Sequence, residues 1–166
     1  MNSSHSHKHH NFPGEHAITD IGQLILFVIF VLVIIIDIFI LKFSSKMIGT
    51  LSQMLTIPLF LLFLLIGGYF ILISHRIIFR DNDKDIGIVT EGVFNIVRHP
   101  MYFGSILLFF SFVILSNSVL ALLVWILICI FYYFISRYEE KLLINKFGDE
   151  YKEYQKKVPM FIPFIK

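Results

Sequence analysis

The sequence predicts an all-α integral membrane protein with about four transmembrane helices. Three observations carry that expectation. The 166 residues are 57% hydrophobic and only 16% charged, against roughly 45–50% and about 25% in soluble domains. The mean hydropathy is +0.78. The apolar residues are also gathered into four long runs, and a bilayer crossing takes about 20 residues as a helix. Open strands cannot live in lipid and four runs cannot close a barrel, so the runs are helices despite their β-branched content.

The first run is Ile21 to Leu41, interrupted only by Asp37, and the second is roughly Leu55 to Ile73. Run three, Tyr102 to Leu115, is short for a full crossing. Its polar entry at His99-Pro100 belongs in the headgroup zone. Run four is Val119 to Ile135, and only Ser116-Asn117-Ser118 separates it from run three. Such a short joint predicts a tight antiparallel hairpin. Asp37, near the far end of run one, is expected to reach interfacial water rather than relay protons. His75-Arg76 reads as an interfacial anchor closing run two, and Cys129 as a buried packing residue.

After Ile135 the chain turns amphipathic. Leu143, Phe147, Tyr151, Tyr154 and Val158 recur at helical spacing, one face of a helix. Gly148 divides this stretch into two short helices, with Asp149 as N-cap of the second. The segment is expected to lie flat on an anionic leaflet, and the tail VPMFIPFIK to dip into the interface. Residues 1–17 read as a polar, His-rich tail and 18–166 as a single domain, with its cofactor-binding half at about 86–166. The histidines of the tail form no defined metal site. Asp81, Asp83 and Asp85 lack the offsets of a calcium loop. No metal is expected.

The net charge of +2 and the lack of a basic stripe argue against nucleic acid. Lysine and arginine fall twelve to two on the side shared by both termini and the loop before Pro100. That bias places both termini in the cytosol, in an inner or plasma membrane.

Two polar clusters sit where apolar runs meet water. In Arg98-His99-Pro100-Met101-Tyr102-Phe103-Gly104, Pro100 suits a first helical turn. The free N–H groups behind it and the Arg98 fork could face an anion. His99 and Tyr102 add hydrogen-bonding groups, and Gly104 leaves room for a ligand or a helix. In Arg137-Tyr138-Glu139-Glu140, two adjacent carboxylates could meet an amine, ribose hydroxyls or a sulfonium. Each cluster alone could equally be a helix end held in the interface, but the hairpin brings them together.

RHPMYFG, an apolar hairpin, EE and then KFGDEYKEYQKKVPMFIP resemble the integral-membrane methyltransferases, namely the isoprenylcysteine carboxyl methyltransferases and the related phospholipid methyltransferases. The resemblance covers about Thr90 to Pro163. It implies S-adenosylmethionine as cofactor, bound at the cytosolic end of the hairpin, and a lipophilic acceptor arriving from the bilayer, either a prenylcysteine-like carboxylate or a lipid amine. It implies that Arg98, His99, Pro100, Tyr102 and Gly104 line the cofactor pocket and that Tyr151 and Tyr154 help cover it. Arg137, Glu139 and Glu140 would close it near the acceptor as the catalytic group, with Glu139 or Glu140 as base toward an amine. Two other readings compete: an NADPH-dependent membrane reductase of the sterol-reductase type, and a non-enzymatic membrane scaffold.

Overall fold

The computed structural model describes residues 13–44, 53–80 and 87–162. Among these residues every regular element is helical. Helix α1 spans Pro13–Ile35 and passes into a π-helical turn, Ile36–Leu41. Helix α2 spans Gln53–Arg80, α3 Pro100–Ser116, α4 Val119–Phe147 and α5 Asp149–Lys157. A 3₁₀ turn, Gly92–Asn95, precedes α3. The tail histidines and Asp81, Asp83 and Asp85 lie outside the described residues.

Three stretches, Ile21–Leu41, Gln53–Ile78 and Val119–Phe147, are long and apolar enough to cross a membrane. Their outward faces expose Leu24, Phe39, Leu65 and Leu127, as lipid-facing surfaces do. The fourth expected crossing is the shorter α3, whose 17 residues reach about 26 Å at 1.5 Å each, against a hydrocarbon core of about 30 Å. Its ends explain its length. Pro100 opens it, and Asn117 closes it in the left-handed conformation. Helix α3 is also central, with most of its residues at least partly buried. It packs most extensively on α2 and next on α4. At the α2–α3 crossing, a Cβ on Gly104 would stand 2.7 Å from the Gly67 carbonyl oxygen, and one on Gly67 2.7 Å from that of Gly104. Two glycines thus let the backbones touch. Across the α3–α4 contact, the Trp125 indole donates to the Ile106 carbonyl at 3.0 Å. Phe30, Phe109, Val113, Ala121, Ile128 and Tyr132 form the core where α1, α3 and α4 meet.

Asp37 does not reach interfacial water. It is 1% exposed and accepts from the Ser44 backbone N–H and from the hydroxyls of Ser44 and Ser118. Those hydroxyls in turn accept from the N–H groups of Val119 and Ala121. The first N–H groups of a helix have no partner within it, and a carboxylate suits that positive end. Asp37 therefore caps α4 through two serines, a long-range role that its position within an apolar run does not reveal.

Two further expectations change. Helix α2 continues past His75-Arg76 to Arg80. The amphipathic stretch after Ile135 is not two short helices, because its first part is the end of α4. Gly148, at φ +59, then turns the chain, and it rather than Asp149 occupies the N-cap of α5. The predicted apolar face exists but is covered by protein. Tyr151, Tyr154 and Val158 pack with Ile88, Leu143, Ile144 and Phe147, so this face is not available to lie on a leaflet. Lys152, Lys156 and Lys157 remain outside.

Candidate active site

The two clusters that the sequence singles out meet in space. Arg98 donates from Nε to Glu140 Oε1 at 2.7 Å, and His99 Nε2 lies 3.3 Å from the same oxygen. His99 Nδ1 stands 3.6 Å from Glu139 Oε2. The Tyr102 hydroxyl donates to Glu139 Oε1 at 2.5 Å. Local structure brings this about. Arg98 lies in a bend, and His99, at φ −121 and ψ 65, is the non-helical N-cap ahead of Pro100, where the proline disfavours helical backbone. Tyr102 lies in the first turn of α3, and Glu139 and Glu140 lie near the end of α4.

Burial separates the two carboxylates. The side chain of Glu140 is 2% exposed and that of Glu139 37%. A charge as buried as that of Glu140 is tolerable only when paired, and Arg98 and His99 supply the pairing. Glu139 stands at the open edge. Arg137, 55% exposed, places Nη1 3.8 Å from Glu140 Oε2. That oxygen and Ser136 Oγ are buried without a hydrogen-bond partner.

Arg98 also holds the C-terminal segment. Its Nη1 donates to the Gln155 carbonyl at 3.0 Å and the Val158 carbonyl at 2.7 Å. Its backbone N–H donates to Pro159 at 2.9 Å, and that of His99 to Met160 at 3.4 Å. Three guanidinium bonds are thus directed at protein rather than held open for an anion. A ring column stands beside them. His99 stacks on Tyr102 at 5.9 Å and 12°, Tyr102 on Tyr132 at 5.0 Å and 26°, and Phe161 tilts against His99 at 5.9 Å.

Burial opposes the imidazolium of His99, but the hydrogen bonds and charges of Glu139 and Glu140 outweigh it and raise the His99 pKa above its usual 6.5. Burial, reinforced by the Glu140 charge, drives the Tyr151 hydroxyl far above the ordinary tyrosine range. Burial pushes Tyr154 up to about 12. Both tyrosines therefore stay neutral.

Of the predicted site residues, Arg98, His99, Tyr102, Arg137, Glu139 and Glu140 come together, and Pro100 is buried behind them. Gly104 lies at the contact with Gly67 instead, and Tyr154 donates its hydroxyl to the Phe94 carbonyl at 2.5 Å. Tyr151 is buried beside Tyr154, at 5.7 Å between rings. Sequence reasoning missed Tyr132 and Ser136, although both stand on one face of a helix with Glu140 at i−8 and i−4. It also missed the backbone carbonyls that bind Arg98, for which side-chain identity gives no signal.

A cleft of about 440 Å³ opens beside Arg98, bounded by Tyr133, Lys156, Met160 and Phe161. A second, of about 480 Å³, lies between Thr90, Asn95, Glu150 and Lys157. Both fall in the size range of small-molecule sites. Among the described residues no group of three or more histidine, cysteine, aspartate or glutamate side chains could hold a metal ion.

A helical membrane protein with an arginine–histidine–carboxylate cluster at one end of its apolar helices is the class these features define. Residues 62–150, more than half of the chain, match the family described as phospholipid methyltransferase, and the chain belongs to that family. It is 38% identical over 97 residues to a protein-S-isoprenylcysteine O-methyltransferase of Schizosaccharomyces pombe, covering 55% of this chain and 39% of that protein. Similarity to the Homo sapiens protein of the same name is 38% over 82 residues, covering 48% and 28%. A methanethiol S-methyltransferase of Pseudomonas deceptionensis is 36% identical over 78 residues, covering 46% and 29%. The matches thus span well under half the length of these relatives.

Proposed function

We propose that this chain transfers a methyl group from S-adenosylmethionine to a lipophilic acceptor at the cytosolic face of the membrane. The observation that carries the reading is the convergence of Arg98, His99 and Tyr102 with Glu139 and Glu140, some 40 residues further along, inside the segment that matches the family. In this reading α3 is the fourth crossing and forms an antiparallel hairpin with α4. The lysine and arginine bias sets the clusters toward the cytosol.

The residues fit a sulfonium cofactor. Glu139 offers negative charge at the open edge of the cluster, and Phe161, beside His99, offers aromatic surface, a combination that attracts cations. S-Adenosylmethionine supplies an activated methyl for direct displacement. The protein's part is alignment and exclusion of water. Arg98 is a positioning residue, fixing Glu140 and the chain from Gln155 to Met160 around the site. Glu140 orients His99 and the guanidinium. Tyr102 holds one oxygen of Glu139, and the other, Oε2, lies 3.6 Å from His99 Nδ1 at the open edge, where it can take a proton from an amine acceptor. A carboxylate acceptor needs no such step. The names of the relatives make a prenylcysteine carboxylate or a thiol plausible in kind, and the family description a lipid amine.

The direct test supplies purified protein with methyl-labelled S-adenosylmethionine and a membrane lipid extract and then identifies the labelled product. Label in a lipid or thiol product supports the reading. Its absence, with a sound methyl donor, counts against it.

A further inference from the structure

Ser136 departs from the behaviour of the other serines among the described residues. Helical serines commonly bond back to a carbonyl one turn earlier. Here Ser74 donates to Phe70, Ser105 to Met101, Ser111 to Leu108 and Ser116 to Val113. Ser44 and Ser118 are bonded through Asp37. Ser136 is 0% exposed, and its hydroxyl has no partner. One turn further along the same face, Glu140 Oε2 is equally buried and equally without a hydrogen bond, with only Arg137 Nη1 nearby at 3.8 Å. Leaving a buried polar atom unbonded costs about 1–3 kcal/mol, so two such atoms on adjacent turns of one face point to a group that satisfies both.

Position decides which group. Ser136 lies four residues, or about 6 Å, from Glu140 toward the middle of α4. It therefore stands between the polar cluster and the apolar body of the helix. A water-soluble methyl donor enters from the cluster side, whereas a lipophilic acceptor must bring its polar head up from the apolar side. We propose that Ser136 Oγ and Glu140 Oε2 form a two-point slot for an N–H or O–H group on the acceptor. The carboxylate oxygen can only accept, so the acceptor must present a donor there. The hydroxyl can then give its own proton to a second polar atom of the same head group. Ser136 becomes a specificity-determining residue. The inference rests on the proposed methyl transfer.

The test compares wild type, Ser136→Ala and Ser136→Thr. Labelled methyl transfer is measured against increasing membrane lipid extract, and S-adenosylhomocysteine affinity is measured in parallel. Loss of one hydrogen bond of ordinary net strength should raise the half-saturating extract concentration about five- to tenfold in Ser136→Ala. Ser136→Thr should return it to near the wild-type value, and S-adenosylhomocysteine should bind all three alike. An unchanged half-saturation in Ser136→Ala would overturn the slot. So would a parallel loss of S-adenosylhomocysteine affinity, because the hydroxyl would then serve the methyl donor. A wild type that binds S-adenosylhomocysteine but labels nothing defeats the parent reading and this inference together. Labelling by wild type without an effect of Ser136→Ala defeats the inference alone.

Discussion

Replacing Arg98 by alanine tests the site's construction most severely. The change removes the Nε bond to Glu140 at 2.7 Å and the Nη1 bonds to the Gln155 and Val158 carbonyls at 3.0 and 2.7 Å. Hydrogen bonds to charged groups contribute roughly 1.5–3 kcal/mol each, but three bonds made by one side chain are not additive. Removing one partner of a buried ion pair costs roughly 3–5 kcal/mol. Glu140 keeps His99 within reach at 3.3 Å, and the Arg98 side chain is 11% exposed. Both facts favour the lower end, so the expected cost is about 3 kcal/mol. It should appear as a lower unfolding midpoint in detergent and as faster proteolysis between Gln155 and Met160, since the guanidinium bonds to the Gln155 and Val158 carbonyls are lost while only the backbone bond from residue 98 to Pro159 remains. The double variant Arg98→Ala/Glu140→Gln should be less destabilised than the sum of the single changes, because the second change removes the buried charge that the first leaves without its arginine. Wild-type stability and unchanged tail cleavage in Arg98→Ala would refute the clamp.

Gly104→Ala should destabilise by about 1–3 kcal/mol through overpacking, because its Cβ would meet the Gly67 carbonyl at 2.7 Å. Gly68→Ala, with nothing within 4 Å, serves as the matched control, and equal unfolding midpoints would contradict the crossing. Asp37→Ala strips two serine hydroxyls of their acceptor and should cost about 2–4 kcal/mol, read by denaturant titration in detergent. A cost below about 0.5 kcal/mol, ordinary for an exposed position, would contradict the cap. The raised His99 pKa carries a pH dependence. Its stabilisation is fully present below the unfolded value of about 6.5 and is lost as pH rises through the higher folded value. Unfolding midpoints should therefore fall across that window in wild type and stay flatter in His99→Gln, and parallel profiles would contradict the assignment.

The apolar runs were legible because lipid imposes one simple demand, an uninterrupted stretch of apolar residues. The pairing of the polar clusters was legible because a three-residue joint leaves the chain little choice. Asp37 was not legible, since its partners Ser44 and Ser118 are small common residues at separations that carry no pattern. Gly104 was ambiguous in kind: a glycine beside a motif serves a ligand or a helix crossing equally well, and only the nearness of Gly67 distinguishes them. The face from Leu143 to Val158 was read correctly as apolar but assigned the wrong cover. Periodicity reports that a face is buried and says nothing of whether lipid or protein buries it. The backbone acceptors of Arg98 leave no mark on the sequence at all.

The central claim is that a methyl donor binds at the His99–Glu139–Glu140 cluster. It is tested most directly by titrating purified protein with S-adenosylmethionine and, separately, with NADPH, for wild type and Glu139→Gln. The account predicts saturable binding of S-adenosylmethionine, no saturable binding of NADPH, and weakened S-adenosylmethionine binding in Glu139→Gln at unchanged unfolding midpoint. Binding of NADPH in its place, or S-adenosylmethionine affinity indifferent to Glu139, would contradict it.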